Sequence, residues 1–314
     1  MKTSEIDHLP LTAFIFSVVL GGFNAIGVHY TVLELSPFWG ATLRFAPSAL
    51  ILFFVVLLLK LPLPRGRGLV GTLIYGALNF GGSYAFLYYG LGKVQPGMAQ
   101  VILALVPLFT LIFAILHRQE TFHWRALFGT LLAVAGIALV FREQLQANVP
   151  ILSLLALVFG AMCLSESGVI AKGFPRNHPV TTNAIGMLMG AIILFVMALL
   201  WHEPRVLPVR TTTWFGLTYL ILAGSCIFIL FLFILKYWTA SKLSYQFVLM
   251  PFVTLSASTW LAGEKLNSIL LVGAVLVLLG VYVGVLYNPR KKLAEPLPST
   301  PVVELGNEIC ATCP

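Results

Sequence analysis

Charge is what this sequence has least of. Only 10% of its 314 residues are charged, and only 11 of them are Asp or Glu. A soluble domain carries about 25% charged residues. Together with 59% apolar residues and a mean hydropathy of +0.96, that scarcity argues against a soluble enzyme or a disordered chain. The 19 Lys and Arg outnumber the acids. In so apolar a chain the excess reports cytoplasmic loops, and no nucleic-acid partner is expected. No GxxxxGK[ST] loop exists, so the chain carries no Walker-type ATP site. The six His stand at the ends of apolar runs or outside them, and none forms HExxH. No pair of Lys or Arg lies mid-run to clamp a phosphorylated cargo. Cysteine is sparse too: Cys163 and Cys226 lie in apolar runs, and Cys310 and Cys313 form a lone CxxC in a polar tail. Zinc needs four ligands, so neither metal nor cofactor is expected. The first apolar run is long enough to span and lacks a clear cleavage site, so it reads as a retained span.

What the chain has is apolar runs of spanning length, about 20 residues each. Ten occur, near 10–29, 38–59, 69–91, 97–116, 124–141, 150–171, 180–201, 214–236, 243–262 and 267–287. Pro- and Gly-rich breaks separate them, such as Ser36-Pro37, Gln95-Pro96-Gly97 and Asn177-His178-Pro179. Residues 288–314 read as a disordered tail. Thirteen Lys and Arg fall at the N-terminus, the 2–3, 4–5, 6–7 and 8–9 connections and the C-terminus. Six fall on the other side: Arg44, Lys93, Arg142, Arg205, Arg210 and Lys265. The positive-inside rule then puts both termini and the tail in the cytoplasm, which an even span count requires.

The chain also matches itself at an offset of 144 residues. Pro107 matches Pro251, Thr110 matches Thr254, Glu120 matches Glu264, Gly129 matches Gly273, and Gly136 matches Gly280. No gap is needed from 105 to 136. The halves are thus 1–143 and 144–287, with five spans each. Five is odd, so the second half enters from the opposite face. Such inverted repeats build many transporters, with the substrate site near the midplane between them. The expected fold is an all-α integral membrane protein of ten helices in two inverted five-helix repeats.

On these motifs the sequence resembles the drug/metabolite transporter superfamily, in its EamA-type branch. The residues that carry the resemblance are Leu105-Val106-Pro107, Gln119-Glu120 and Gly129 to Gly136 in the first half. In the second half they are Leu249-Met250-Pro251, Gly263-Glu264-Lys265-Leu266 and Gly273 to Gly280, and Arg44-Phe45 matches the family's Arg-Phe in span 2. Gln119 stands where the family has Gly, and Gly21-Gly22-Phe23-Asn24 replaces its usual Trp-Gly. The resemblance implies a secondary exporter or exchanger of amino acids or similar metabolites in the inner (plasma) membrane.

Candidate site residues follow from polarity inside the runs. Glu166 is the one acid well inside a run. An ionised carboxylate at depth costs at least ~2.5–3.5 kcal/mol, so it needs a cavity, a partner or a proton. Ser165 and Ser167 beside it are candidate hydrogen-bond donors, and a substrate amine or a coupling proton is its candidate ligand. Asn24, Asn79, Tyr84, Gln100, Asn183 and Gln246 can replace a substrate's water shell, or can tie helices together. Pro107 and Pro251 sit mid-run at equivalent places and mark hinges or static kinks. Glu120 and Glu264 at run ends read as structural acceptors for the N–H groups at the start of the next helix. An intramembrane enzyme would need converging Asp, His or Ser-Lys groups at depth, and this chain has one Glu. A receptor or assembly protein would leave the repeat unexplained. The reading is alternating-access transport of a small molecule, most simply a neutral or aromatic amino acid, with protons as a candidate coupling ion.

Overall fold

The computed structural model describes residues 3–91, 102–140, 150–253 and 268–283. Gln100, Glu264 and the tail lie outside them. The described residues are helical, with no strand among them. In order the helices are α1 (Thr3–Val32), α2 (Pro37–Leu58), α3 (Arg67–Gly76), α4 (Ser83–Leu91), α5 (Val106–Leu116), α6 (Trp124–Val140), α7 (Ile151–Gly173), α8 (Pro179–Leu200), α9 (Thr211–Ile234), α10 (Ala240–Ser244) and α11 (Ser268–Val281).

Among the described residues four helices, α2, α7, α8 and α9, are by themselves long and apolar enough to cross a membrane. Several of the other expected runs are broken rather than uniform. The run 69–91 is one rod whose middle, Ala77–Gly82, is π-helical. The fourth run turns at 104–105, so Pro107 occupies the first turn of α5 rather than a helix interior. There its missing N–H costs nothing. The ninth run turns at Tyr245, between α10 and helical residues 246–253, and Pro251 lies buried in the latter.

Helices pair across the two halves: α1 with α9, α2 with α8, α4 with α7, and α6 with α11. The last pair is reciprocal. A methyl group added to Gly136 would meet the carbonyl oxygen of Gly273 at 2.8 Å. One added to Gly280 would meet that of Gly129 at 2.6 Å. Positions rise along α6 as they fall along α11, so these helices are antiparallel. Only glycine lets two backbones approach so closely.

Antiparallel pairing brings the end of one helix to the start of its partner, and carboxylates use this. Glu34, just after α1, accepts from Val209 N at 2.6 Å and Arg210 N at 3.2 Å, where α9 begins. Glu203, just after α8, accepts from Phe38 N at 3.3 Å and Trp39 N at 2.8 Å, where α2 begins. Glu120, just after α5, accepts from Ser241 N at 3.2 Å in α10. Each acid satisfies orphan N–H donors and meets the positive end of a helix dipole. The outer faces carry Leu50, Phe54, Leu57, Ile151, Phe159 and Phe215 exposed. Such a girdle suits hydrocarbon rather than water.

Candidate functional site

The interior holds an unexpected cation. Arg44 lies seven residues into α2, about 10 Å from its start at 1.5 Å per residue. It is 1% exposed. It falls on the outer side in the count of Lys and Arg, and the structure shows it within α2 and enclosed by neighbouring helices rather than in a connection. Its Nη2 donates to Asn24 Oδ1 at 3.3 Å. Its Cζ lies 4.9 Å from the Phe45 ring centroid and 5.3 Å from that of Tyr84. Nε and Nη1 have no acceptor. The guanidinium cannot shed its proton. Cation–π contacts recover on the order of 2 kcal/mol when desolvated, which leaves part of the burial cost uncovered.

Rings continue from this point. Phe45 packs edge-on against Tyr84 at 4.7 Å and Phe80 at 5.2 Å, and Phe80 meets Phe228 at 4.7 Å and Tyr75 at 5.7 Å. Phe80 sits in the π-helical turn, where side chains shift off the regular α register. Gly190 of α8 makes room for it: a methyl group there would stand 2.9 Å from the Phe80 backbone.

Tyr75 forms the floor of an open cleft between α3, α7, α8 and α9. The cleft is lined by Thr72, Lys172, Arg176, Asn177, Thr182 and Lys236, among others. Lys172 Nζ donates to Trp238 O at 2.7 Å and also to Leu235 O, tying down the end of α9. His178, next to the cleft, is held below its ordinary value by partial burial and then by the charge of Lys236. The cleft is therefore cationic. The aromatic layer separates it from Arg44.

The predicted polar residues do not converge on one point. Asn24 and Tyr84 join Arg44. Asn79 belongs to a second group: its Nδ2 donates to Tyr75 Oη at 3.4 Å, Tyr75 Oη donates to Asn183 Oδ1 at 3.2 Å, and Ser167 Oγ donates to Asn79 Oδ1 at 3.0 Å. Gln246 takes a bond from Ser17 Oγ at 3.1 Å, linking α1 to residues 246–253.

Glu166 has a partner that the sequence reading missed. Its Oε1 lies 3.2 Å from His117 Nε2. The expected donors Ser165 and Ser167 turn elsewhere. Ser165 Oγ bonds Ala161 O at 2.8 Å and Val106 O at 3.2 Å, and Ser167 Oγ also bonds Leu164 O at 2.7 Å. Adjacent residues on a helix face different ways, which is the physical reason. His117 Nδ1 lies 3.0 Å from Phe113 O. A carbonyl only accepts, so Nδ1 carries hydrogen. At that distance Nε2 and the carboxylate form a charge-assisted hydrogen bond whenever one proton is shared between them. The signal available in the sequence was weak, because His117 and Glu166 are 49 residues apart.

Comparison with known proteins fits this architecture. The model of the EamA-like transporter family matches residues 9–142 and again 151–286. A protein of Escherichia coli (strain K12) named "Probable amino-acid metabolite efflux pump" is 25% identical over 283 residues, covering 85% of this chain and 92% of its own. Another from the same strain, named "Uncharacterized inner membrane transporter YedA", is 26% identical over 302 residues, covering 92% and 96%. A solved structure titled "Crystal structure of protein" superposes with a TM-score of 0.74 at 19% identity, covering 88% of this chain and 97% of that one, which shows the fold. With both halves matched by the one family model, the chain belongs to the EamA-like transporter family: it is a multi-pass membrane transporter, not an enzyme.

Proposed function

We propose that the protein exports a small amino-acid-type metabolite across the inner membrane by alternating access, with both termini in the cytoplasm. The observation that carries this reading is the reciprocal antiparallel packing of α6 on α11. Two halves that pair this way can rock against each other around a shared axis and expose a central site to either side in turn. The cationic cleft at Tyr75 is the cytoplasmic entrance, because the 2–3, 6–7 and 8–9 connections meet there and carry Arg65, Arg67, Arg176 and Lys236. The aromatic layer of Phe45, Phe80 and Phe228 closes the path beyond it in this conformation. A neutral or aromatic amino acid suits those rings. Asn24, Asn79, Tyr84, Ser165 and Gln246 offer polar groups along the way, and Gln100 and Glu166 complete the set expected from the sequence. The contact of Glu166 with His117 gives transport a means of sensing pH. The amino-acid class draws on the E. coli relative's name.

The test is flux of labelled amino acids in liposomes containing the purified full-length protein, with and without a pH gradient. Saturable uptake of one or a few neutral or aromatic amino acids is expected. Absence of flux for every amino acid, in protein that remains monodisperse, overturns the reading.

A further inference from the structure

We propose that Arg44 is the anchor for a carboxylate of the transported molecule, and that Phe45 and Tyr84 form the apolar walls beside it. This rests on the transport reading above and names the recognition chemistry of that site. Three observations carry it. The side chain is 99% buried, yet the single N–H of Nε and the two of Nη1 have no acceptor. The side-chain partners it does have, Asn24 and the hydroxyl of Tyr88, are neutral. Among the described residues no carboxylate bonds it. An arginine placed only for structure would spend its donors on carbonyls, as Lys172 does at the end of α9. Arg44 keeps its donors idle in a dry setting, where a charge-assisted bond to an incoming anion is strong.

The surroundings narrow the anion. A single guanidinium suits a monoanion, and among the described residues no second cation stands beside it to balance a phosphate dianion. Phe45 and Tyr84 flank the cation at 4.9 and 5.3 Å, and further rings extend the wall. Gly224 of α9 closes the remaining side: a methyl group there would come within 3.1 Å of Nη2. The ligand class is thus a small carboxylic acid with an apolar or ring-bearing side chain. Asn24 holds the guanidinium plane in orientation.

The experiment uses purified full-length protein and three probes of one shape: phenylalanine, 3-phenylpropionate, which keeps the carboxylate, and phenethylamine, which lacks it. Binding is read by thermal stabilisation in detergent. The two carboxylates are expected to stabilise the protein, and the amine is not. Arg44→Lys is expected to weaken carboxylate binding at least tenfold, since a point charge replaces a planar fork. Arg44→Met is expected to abolish it. Equal behaviour of acid and amine, including binding of neither, overturns the proposal. So does unchanged 3-phenylpropionate binding in a folded Arg44→Met variant. If that variant does not fold, the probe series on the unaltered protein and the Lys variant decide. Flux in liposomes separates the two readings. Transport with no preference for the carboxylate removes the role of Arg44 alone. Arg44-dependent carboxylate binding without any flux removes the transport reading alone.

Discussion

Gly136 and Gly280 stand 144 positions apart and do the same thing to each other's helix. Each presses a bare Cα against the backbone of the opposite half, at the carbonyls of Gly273 and Gly129. The internal repeat is therefore also a packing relationship. Gly280→Ala would put a methyl group 2.6 Å from a backbone oxygen that cannot rotate away. Overpacking of this kind costs about 1–3 kcal/mol. Thermal unfolding in detergent should show the loss. Gly82→Ala is the control, because its nearest neighbour lies at 3.4 Å, and it should unfold like the unaltered protein.

Glu34 predicts a stability that depends on pH. The hydroxyl of Thr213 and the backbone N–H groups of Val209 and Arg210 hold its carboxyl below the ordinary value of 4.5. A depressed carboxylate stabilises the fold above its unfolded value, and that contribution fades as pH falls through the lower, folded one. Stability should therefore drop on acidification below about pH 4.5, as protonation frees the start of α9. Glu34→Gln should flatten that part of the profile. An identical acid limb in the variant would show that this carboxylate does not tie α1 to α9.

Glu166→Gln tests the shared proton. An amide cannot exchange a proton, so the dependence of flux on a pH gradient should disappear while exchange without a gradient persists. His117→Asn should act in the same direction, because it removes the other holder of that proton. An unchanged pH profile in both variants would reduce the contact to packing between α5 and α7.

Pro107 is the second residue of α5, two positions after a turn, and Ser165 donates to Val106 O beside it. Pro107→Ala should fold as well as the unaltered protein, since the position needs no N–H and accepts either residue. It should also lengthen the helix backward across 104–105 and slow flux severalfold. Full flux in Pro107→Ala, and in a double variant with Pro251→Ala, would make both prolines static kinks.

Topology is testable without any substrate. A reporter fused after Asn288 should read cytoplasmic, and one inserted between Pro204 and Arg210 should read external. Both on one side would mean an even number of crossings between them, where the three runs 214–236, 243–262 and 267–287 require an odd one.

Length, apolar runs and the 144-residue offset are properties of the chain taken in order, and they determined the helical membrane class, the two-part plan and the family. Helix ends were also legible, because Pro, Gly and Asn mark them locally. The turns at 104–105 and Tyr245 and the π-wound stretch at Ala77–Gly82 were not, since each depends on what packs against it. Glu34, Glu120 and Glu203 could be read as acids at helix ends, but not that each caps a helix distant in sequence, from the opposite half. Arg44 shows the limit most sharply. Its residue type and its place near the start of a run are the same for an outer-loop cation and for a buried one. Only the packing of α2 against α8 and α9, with Asn24, Phe45 and Tyr84 around the guanidinium, decided that it lies out of water. His117 and Glu166 met for the same reason: no periodicity links positions 49 apart, and the approach of α5 to α7 supplies the contact.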